Sequence, residues 1–155
     1  MARDIPYPAF NFLVKIDGVI TNEQDIALGG FSDVSGINTE ITVAEYRNGN
    51  EVTNHVRKVP GIYKVGDVTL KRGIINSTSF WDWIKETRRS GHKMKRDVTI
   101  TLRDESGADV MTWSLRKTIP LKYTGPTMAA KGGGDVAMEE LVLSAEDLDF
   151  AQIQA

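Results

Sequence analysis

Residues 97–116 read DVTITLRDESGADVMTWSLR, and they decide the fold class. Val98, Ile100 and Leu102 alternate with polar neighbours, and Met111, Trp113 and Leu115 then do the same. A period of two means a strand with one face turned inward. DESGAD joins the two runs, and Gly107 suits the turn. The stretch is therefore a hairpin, and β structure is the frame for the rest.

Moving outward, FNFLVKI at 10–16 sets Phe10, Phe12, Val14 and Ile16 on one face of a strand. DVTLKR at 67–72 alternates and stops at Gly73, and a last strand runs from about Val136 to Ser144 with Leu141 and Leu143 on one face. Residues 120–134 read as a loop bearing Pro, Gly and Lys. In NTEITVAEY, 38–46, Ile41 and Val43 share a face with Thr39 and Glu45. RNGN follows, and Asn48-Gly49 is a strong two-residue hairpin signal because both positions tolerate positive φ. The return, VTNHVRKV, is polar and ends at Pro60-Gly61. This predicts an arm at about 45–58, poor in apolar residues, that is either mobile or packed on a neighbour.

The period changes once. In NSTSFWDWIKETRRSG, Phe80, Trp83, Ile84 and Thr87 fall at i, i+3, i+4 and i+7 on one helical face, with Trp81 off it. Ser79 or a neighbouring Ser/Thr caps the start, Asp82 sits in the first turn, Arg88 and Arg89 in the last, and Gly91 just beyond. The expected fold is mainly β: an antiparallel β-sandwich or barrel with one packed α-helix, as a single domain over 1–155 with its core at about 9–150.

Totals narrow the function. The chain has 155 residues, 41% of them hydrophobic, and a formal net charge of −2. A chain this close to neutral is not a general polyanion binder, and many copies pack closely with little self-repulsion. With no cysteine, disulfides and Cys-based metal sites are excluded. MARDIPYPAF has no apolar run of signal-peptide type, and no stretch nears the ~20 apolar residues of a membrane helix. The chain reads as soluble.

Catalytic constellations are not found. His55 and His92 lie far apart without metal-ligand spacing and read as exposed. No G-x-S-x-G occurs. Glu139 and Glu140 are adjacent, so in a strand they point to opposite faces and cannot share acid–base work. The clustered carboxylates, Asp104, Glu105, Glu139, Glu140, Glu146, Asp147 and Asp149, read as solvated. Gly132-Gly133-Gly134 lacks the Lys-Ser/Thr and helix of a phosphate loop. No catalytic residue, cofactor or metal site is assigned, and the chain is not expected to be an enzyme.

One charge cluster stands out: Lys85, Arg88, Arg89, His92, Lys93, Lys95 and Arg96 against Glu86. It reads first as a solvated helix end that complements the dipole. As a contact it fits nucleic acid, or the acidic end Asp135 to Asp149 of a second copy in head-to-tail stacking. Near-neutral charge favours the second copy.

The order of motifs resembles the tail tube proteins of contractile phages and of related extracellular injection particles. The resemblance rests on Phe10-x-Phe12-x-Val14 near the start, FSDVSGI at 31–37, EYRNGN at 45–50, VPGIYK at 59–64, TLKRGI at 69–74, the Phe80…Trp83 helix, ITLRDESG at 100–107, Trp113 with Pro120, KYTGP at 122–126 and AMEELVLSAEDL near the end. Each piece is weak alone; the series in one order, over roughly 9 to 150, is specific. It departs at Lys117-Thr118-Ile119, where such proteins often carry Asn-Ala plus an aromatic. The resemblance implies a hexameric ring with a β-lined channel, stacked into a tube inside a contractile sheath. Implied partners are further copies of the chain, the sheath protein, baseplate and tube-terminator proteins, and effector cargo or phage DNA in the lumen. Assembly is expected in the cytoplasm, with the final place a virion tail or injection particle. The inter-subunit contact candidates are Glu45, Tyr46, Arg47, Asn48, Gly49, Asn50, Glu51, His55 and Arg57 in the arm, Arg88, Arg89, Lys93 and Arg96 at the helix end, and Glu139, Glu140, Glu146 and Asp147 at the acidic end. Two other readings stay open: a baseplate or carbohydrate-binding β-sandwich, and a nucleic-acid binder using Lys85–Arg96.

Overall fold

In a computed structural model the described residues are 4–16, 31–74, 79–132 and 136–152. The strands are β1 (Phe12–Ile16), β2 (Asp33–Ser35), β3 (Thr39–Tyr46), β4 (Arg57–Val65), β5 (Val68–Gly73), β6 (Arg96–Arg103), β7 (Asp109–Thr124), β8 (Met138–Ser144) and β9 (Asp147–Gln152). One helix, α1 (Ser79–Ser90), is followed by a 3-10 turn, Gly91–Met94.

Two antiparallel layers share β7. Its first half pairs β6 and β9, and β6 pairs β1. Its second half pairs β8, which pairs β5, which pairs β2. The opening hairpin holds as read: Val98 faces Leu115, Ile100 faces Trp113 and Leu102 faces Met111. Asp104 closes its turn, accepting hydrogen bonds from Ser106 Oγ at 2.6 Å and from the Ser106 and Ala108 amides at 2.9 Å. These donors, the Ser106 hydroxyl first, hold its carboxyl below the ordinary range. Gly107 adopts φ +89° there.

Val14, Ile16, Val98, Ile100 and Leu115 of one layer meet Val68, Leu70, Leu141 and Leu143 of the other in a single core. α1 adds Phe80 and Trp83 to it, with Ile84 and Thr87 half-buried on the same face. Trp83 Nε1 donates to the Met94 carbonyl at 3.0 Å, and Phe31 stacks on Phe80 at 5.7 Å. Gly91 leaves the helix at φ +58°.

Several expectations are corrected. Phe10 lies outside β1 and is exposed. The loop expected at 120–134 is strand as far as Thr124, because β7 bends at Lys117 instead of ending. Lys117 adopts φ +51°, and its amide donates to Asp97 at 3.2 Å instead of to a ladder partner. The register shifts again between Pro120 and Lys122, so the missing N–H of Pro120 is accommodated at a bulge. β2 and β9 went unread. The glycines at 133 and 134, Asp135 and the residues at 75–78 lie outside the described residues, as does the side chain of Ser79.

Candidate assembly surface

Among the described residues β3 and β4 pair only with each other and form a separate two-stranded sheet. Every residue of both is exposed except Val65. The return strand does not stop at Pro60-Gly61. It begins at Arg57 and runs through them to Val65, with a bulge at Gly61. Nor is the turn a two-residue one at Asn48-Gly49, for neither takes a positive φ and the strands close only at Tyr46 opposite Arg57.

The ten-residue tip is instead tied by Arg47. Its guanidinium donates to the Glu51 carbonyl at 3.0 Å and to the Thr53 carbonyl at 3.1 and 3.2 Å. Tyr46 Oη pairs with Asn48, the Glu51 amide donates to the Asn48 carbonyl at 3.2 Å, and Glu51 pairs with Arg57 at 3.2 Å. Gly49, Asn50 and His55 complete the tip with no role in that network. Glu45 stands opposite Lys58, and Glu40 opposite Lys64.

The exposed hairpin reaches beyond the arm expected at about 45–58, and the added strand residues include exposed apolar ones. Ile41 (59% exposed) and Val43 (49%) lie on one face with Tyr63; Ala44 and Val59 lie on the other; and Ile62 (79%) projects at the bulge. Their alternation was visible in the sequence, but only the structure shows that none of the described residues covers either face. One side-chain tether reaches the body: Tyr63 Oη donates to Asp147 at 3.3 Å, and the Asp147 charge, then the hydrogen bond, holds that hydroxyl above its usual range.

The acidic end does not form one patch. Glu139 is buried, not solvated: it pairs with Arg72, which is 0% exposed, and accepts from Tyr123 Oη at 2.7 Å. Arg72 also lies 3.9 Å over the Phe80 ring. Glu140, half-buried on the opposite face, stands across from Lys71. Glu146 pairs with Lys95 of the same chain, whose hydrogen bond holds its carboxyl low. Arg96 pairs with Glu86 at 3.1 Å. The head-to-tail scheme thus loses Glu139, Glu146 and Arg96 to partners at home. Arg88, Arg89 and Lys93 remain exposed, with His92, around the end of α1. Among the described residues no cluster of acids and histidines has the makings of a metal site, and no helix is long and apolar enough to cross a membrane.

A bare two-stranded arm thus stands beside the two-layered β core. The model of the T4-like virus tail tube protein gp19 family matches residues 8–149. The chain belongs to that tail tube family. Among solved structures it is similar to a chain of the extended sheath–tube complex of the extracellular contractile injection system PVC, at 28% identity and TM-score 0.80, covering 97% of this chain and 94% of the other. It is similar to a chain of the extended PVC sheath/tube terminator at 29% identity and TM-score 0.79, covering 97% and 99%. A chain of the anti-feeding prophage baseplate shares the fold at 23% identity and TM-score 0.80, covering 99% and 100%. No curated protein matched. As a tail tube protein the chain is a structural tube subunit.

Proposed function

We propose that copies of this chain close into hexameric rings, and that the rings stack into the inner tube of a contractile tail or injection particle. A sheath surrounds the tube, a baseplate starts it and a terminator ends it. A protein or DNA cargo occupies the lumen. Assembly takes place in the cytoplasm, and the particle works at a target envelope. The observation that carries this reading is the β3–β4 hairpin, with apolar side chains exposed on both faces and no cover among the described residues. An exposed edge with apolar faces is an aggregation hazard in a lone molecule, and closed, symmetric pairing removes it. Obligate contacts of this kind bury ~2,000 Å² or more. The relatives' sheath–tube and sheath/tube-terminator structures support the same partners here.

The contact candidates are reassigned accordingly. Glu45, Tyr46, Arg47, Asn48, Gly49, Asn50, Glu51, His55 and Arg57 stay as arm contacts, Arg88, Arg89, Lys93, Glu140 and Asp147 as surface contacts, and Glu139, Glu146 and Arg96 are withdrawn. Negative-stain electron microscopy of the purified protein tests the reading. Six-fold rings or hollow tubes are expected from the intact chain, and folded, unstacked protein from the variant lacking Arg47–Thr53. Normal long tubes from that deletion would remove the arm's role. A protein that stays monomeric at high concentration, even with sheath and baseplate partners, would overturn the reading.

A further inference from the structure

The tip of the arm carries a dipeptide with chemistry of its own. Asn48 is the chain's only asparagine followed by glycine. Glycine has no Cβ to keep its amide nitrogen from swinging back onto the preceding side chain. Neither residue belongs to a strand; Gly49 is exposed and Asn48 half-buried. A Cβ built on Gly49 would meet no atom within 4 Å, so the space around this nitrogen is open.

Hydrogen bonding at the tip leaves two nitrogens free and engages one oxygen. Among the described residues neither the Gly49 amide nor Asn48 Nδ2 has a partner. Asn11 and Asn38, by contrast, donate Nδ2 to the Asp104 and Gly36 carbonyls. A nitrogen with no hydrogen bond to give up moves at little cost. Asn48 Oδ1 accepts from Tyr46 Oη. That oxygen takes the negative charge when a nucleophile adds to Cγ, and a donor already aimed at it stabilises the addition. Arg47 keeps the frame of the tip, on the carbonyls of Glu51 and Thr53 at 3.0 to 3.2 Å.

We propose that Asn48-Gly49 is a self-modification site, with Tyr46 Oη as the donor at Oδ1. The Gly49 nitrogen attacks Asn48 Cγ and the new C–N bond closes a succinimide. The Cγ–Nδ2 bond breaks, and the Gly49 amide proton departs with Nδ2 as ammonia. A solvent water then opens the ring. Opening at Cγ leaves aspartate. Opening at the backbone carbonyl leaves isoaspartate, whose main chain runs through Cβ and Cγ and is one carbon longer. Both products add a negative charge. The second also takes the Asn48 carbonyl, acceptor of the Glu51 amide at 3.2 Å, out of the main chain. A consequence follows that rests on the ring-and-tube reading: the altered tip no longer meets its neighbour, and subunits left unassembled are retired with age.

Peptide mapping by mass spectrometry of the full chain, incubated at mildly alkaline pH, tests the site. The amide-to-acid mass change and isoaspartate should appear at Asn48 about tenfold faster than at Asn11, Asn38, Asn50 or Asn54. Gly49→Ala should slow conversion about tenfold. Gly49 has no positive φ and a methyl finds room there, so the unfolding midpoint should not move. Tyr46→Phe removes only the donor and should slow conversion about threefold. Conversion no faster at Asn48 than elsewhere, or unslowed by Gly49→Ala, would overturn the site. A Tyr46→Phe chain that converts as fast or faster would overturn the part given to Tyr46. Tubes grown from aged wild-type chain should hold less isoaspartate than the protein left in solution; equal fractions would overturn the retirement of old subunits. If fresh chain forms no tubes, the ring-and-tube reading fails, and the peptide map still decides the modification.

Discussion

Arg72 and Glu139 show how one ion pair organises three elements. Arg72 is on β5, Glu139 on β8, and Tyr123 on β7 completes the set, while the Arg72 guanidinium supports Phe80 of α1. Two charges in a dry interior are tolerable only when each is answered, and removing one leaves the other uncompensated. Arg72→Ala should therefore cost about 3–5 kcal/mol in urea unfolding, and Arg72→Met with Glu139→Leu should recover most of that. A single-variant cost under about 1 kcal/mol would mean the pair is not buried as described. The same network gives a pH signature. The hydrogen bond to Glu139, then burial, raises Tyr123 above its ordinary 10.0 in the fold. A group raised by folding contributes stability that is full below its unfolded value and is lost as pH climbs through the folded one. Stability should thus fall above pH 10 more steeply in the wild type than in Tyr123→Phe. The Phe variant should also be weaker at neutral pH by about 1 kcal/mol, since Glu139 loses a donor. Unfolding midpoints across that range measure both, and parallel curves would dissociate Tyr123 from the network.

At the scale of elements, β7 explains why a two-layered molecule needs so few crossovers. One sixteen-residue strand serves both layers because it bends at Lys117, whose φ is +51°. A branched side chain there meets its own backbone, a cost of about 1–2 kcal/mol, whereas glycine meets nothing. Lys117→Val should lower the unfolding midpoint accordingly, and Lys117→Gly should leave it unchanged or slightly raised. Equal stability of the Val variant would show that the bend is made elsewhere. This strand also marks how far the sequence could be read. Strands with clean alternation and one buried face, β1, β5, β6 and β8, were legible, as was α1 from its apolar face. β7 was cut short because Pro120 donates no hydrogen bond and so reads as a loop, yet a bulge accommodates it. The arm was legible as a hairpin, but its tip was misread because Arg47, not Asn48-Gly49, closes it. Glu139 was out of reach: its partner lies 67 residues away, and adjacency to Glu140 says nothing about burial.

At the scale of the molecule, the chain divides by how well each part is held. β6, β7 and β8 are paired on both sides and carry core residues. Among the described residues the β3–β4 hairpin has one ladder, two exposed faces and one side-chain hydrogen bond to the body, Tyr63 to Asp147, besides Val65 at the edge of the core. Local opening free energy follows such differences in burial and pairing. In the unassembled chain the amides of Thr39–Tyr46 and Arg57–Val65 should exchange with solvent far faster than those of β6. In assembled tubes they should slow by orders of magnitude if, as proposed, a neighbouring copy supplies apolar cover and edge pairing. The contrast would separate two origins of order: burial within the chain for the core and, on the proposed assembly, neighbouring copies for the arm. Hydrogen exchange followed by mass spectrometry on both forms decides it. If the arm were protected as strongly in the lone chain as in the tube, its exposed Ile41, Val43 and Ile62 would need no neighbour, and the contact surface would have to lie elsewhere. If its protection rose on assembly while that of Arg96–Arg103 did not change, the hairpin would be the element whose folding is completed by the ring.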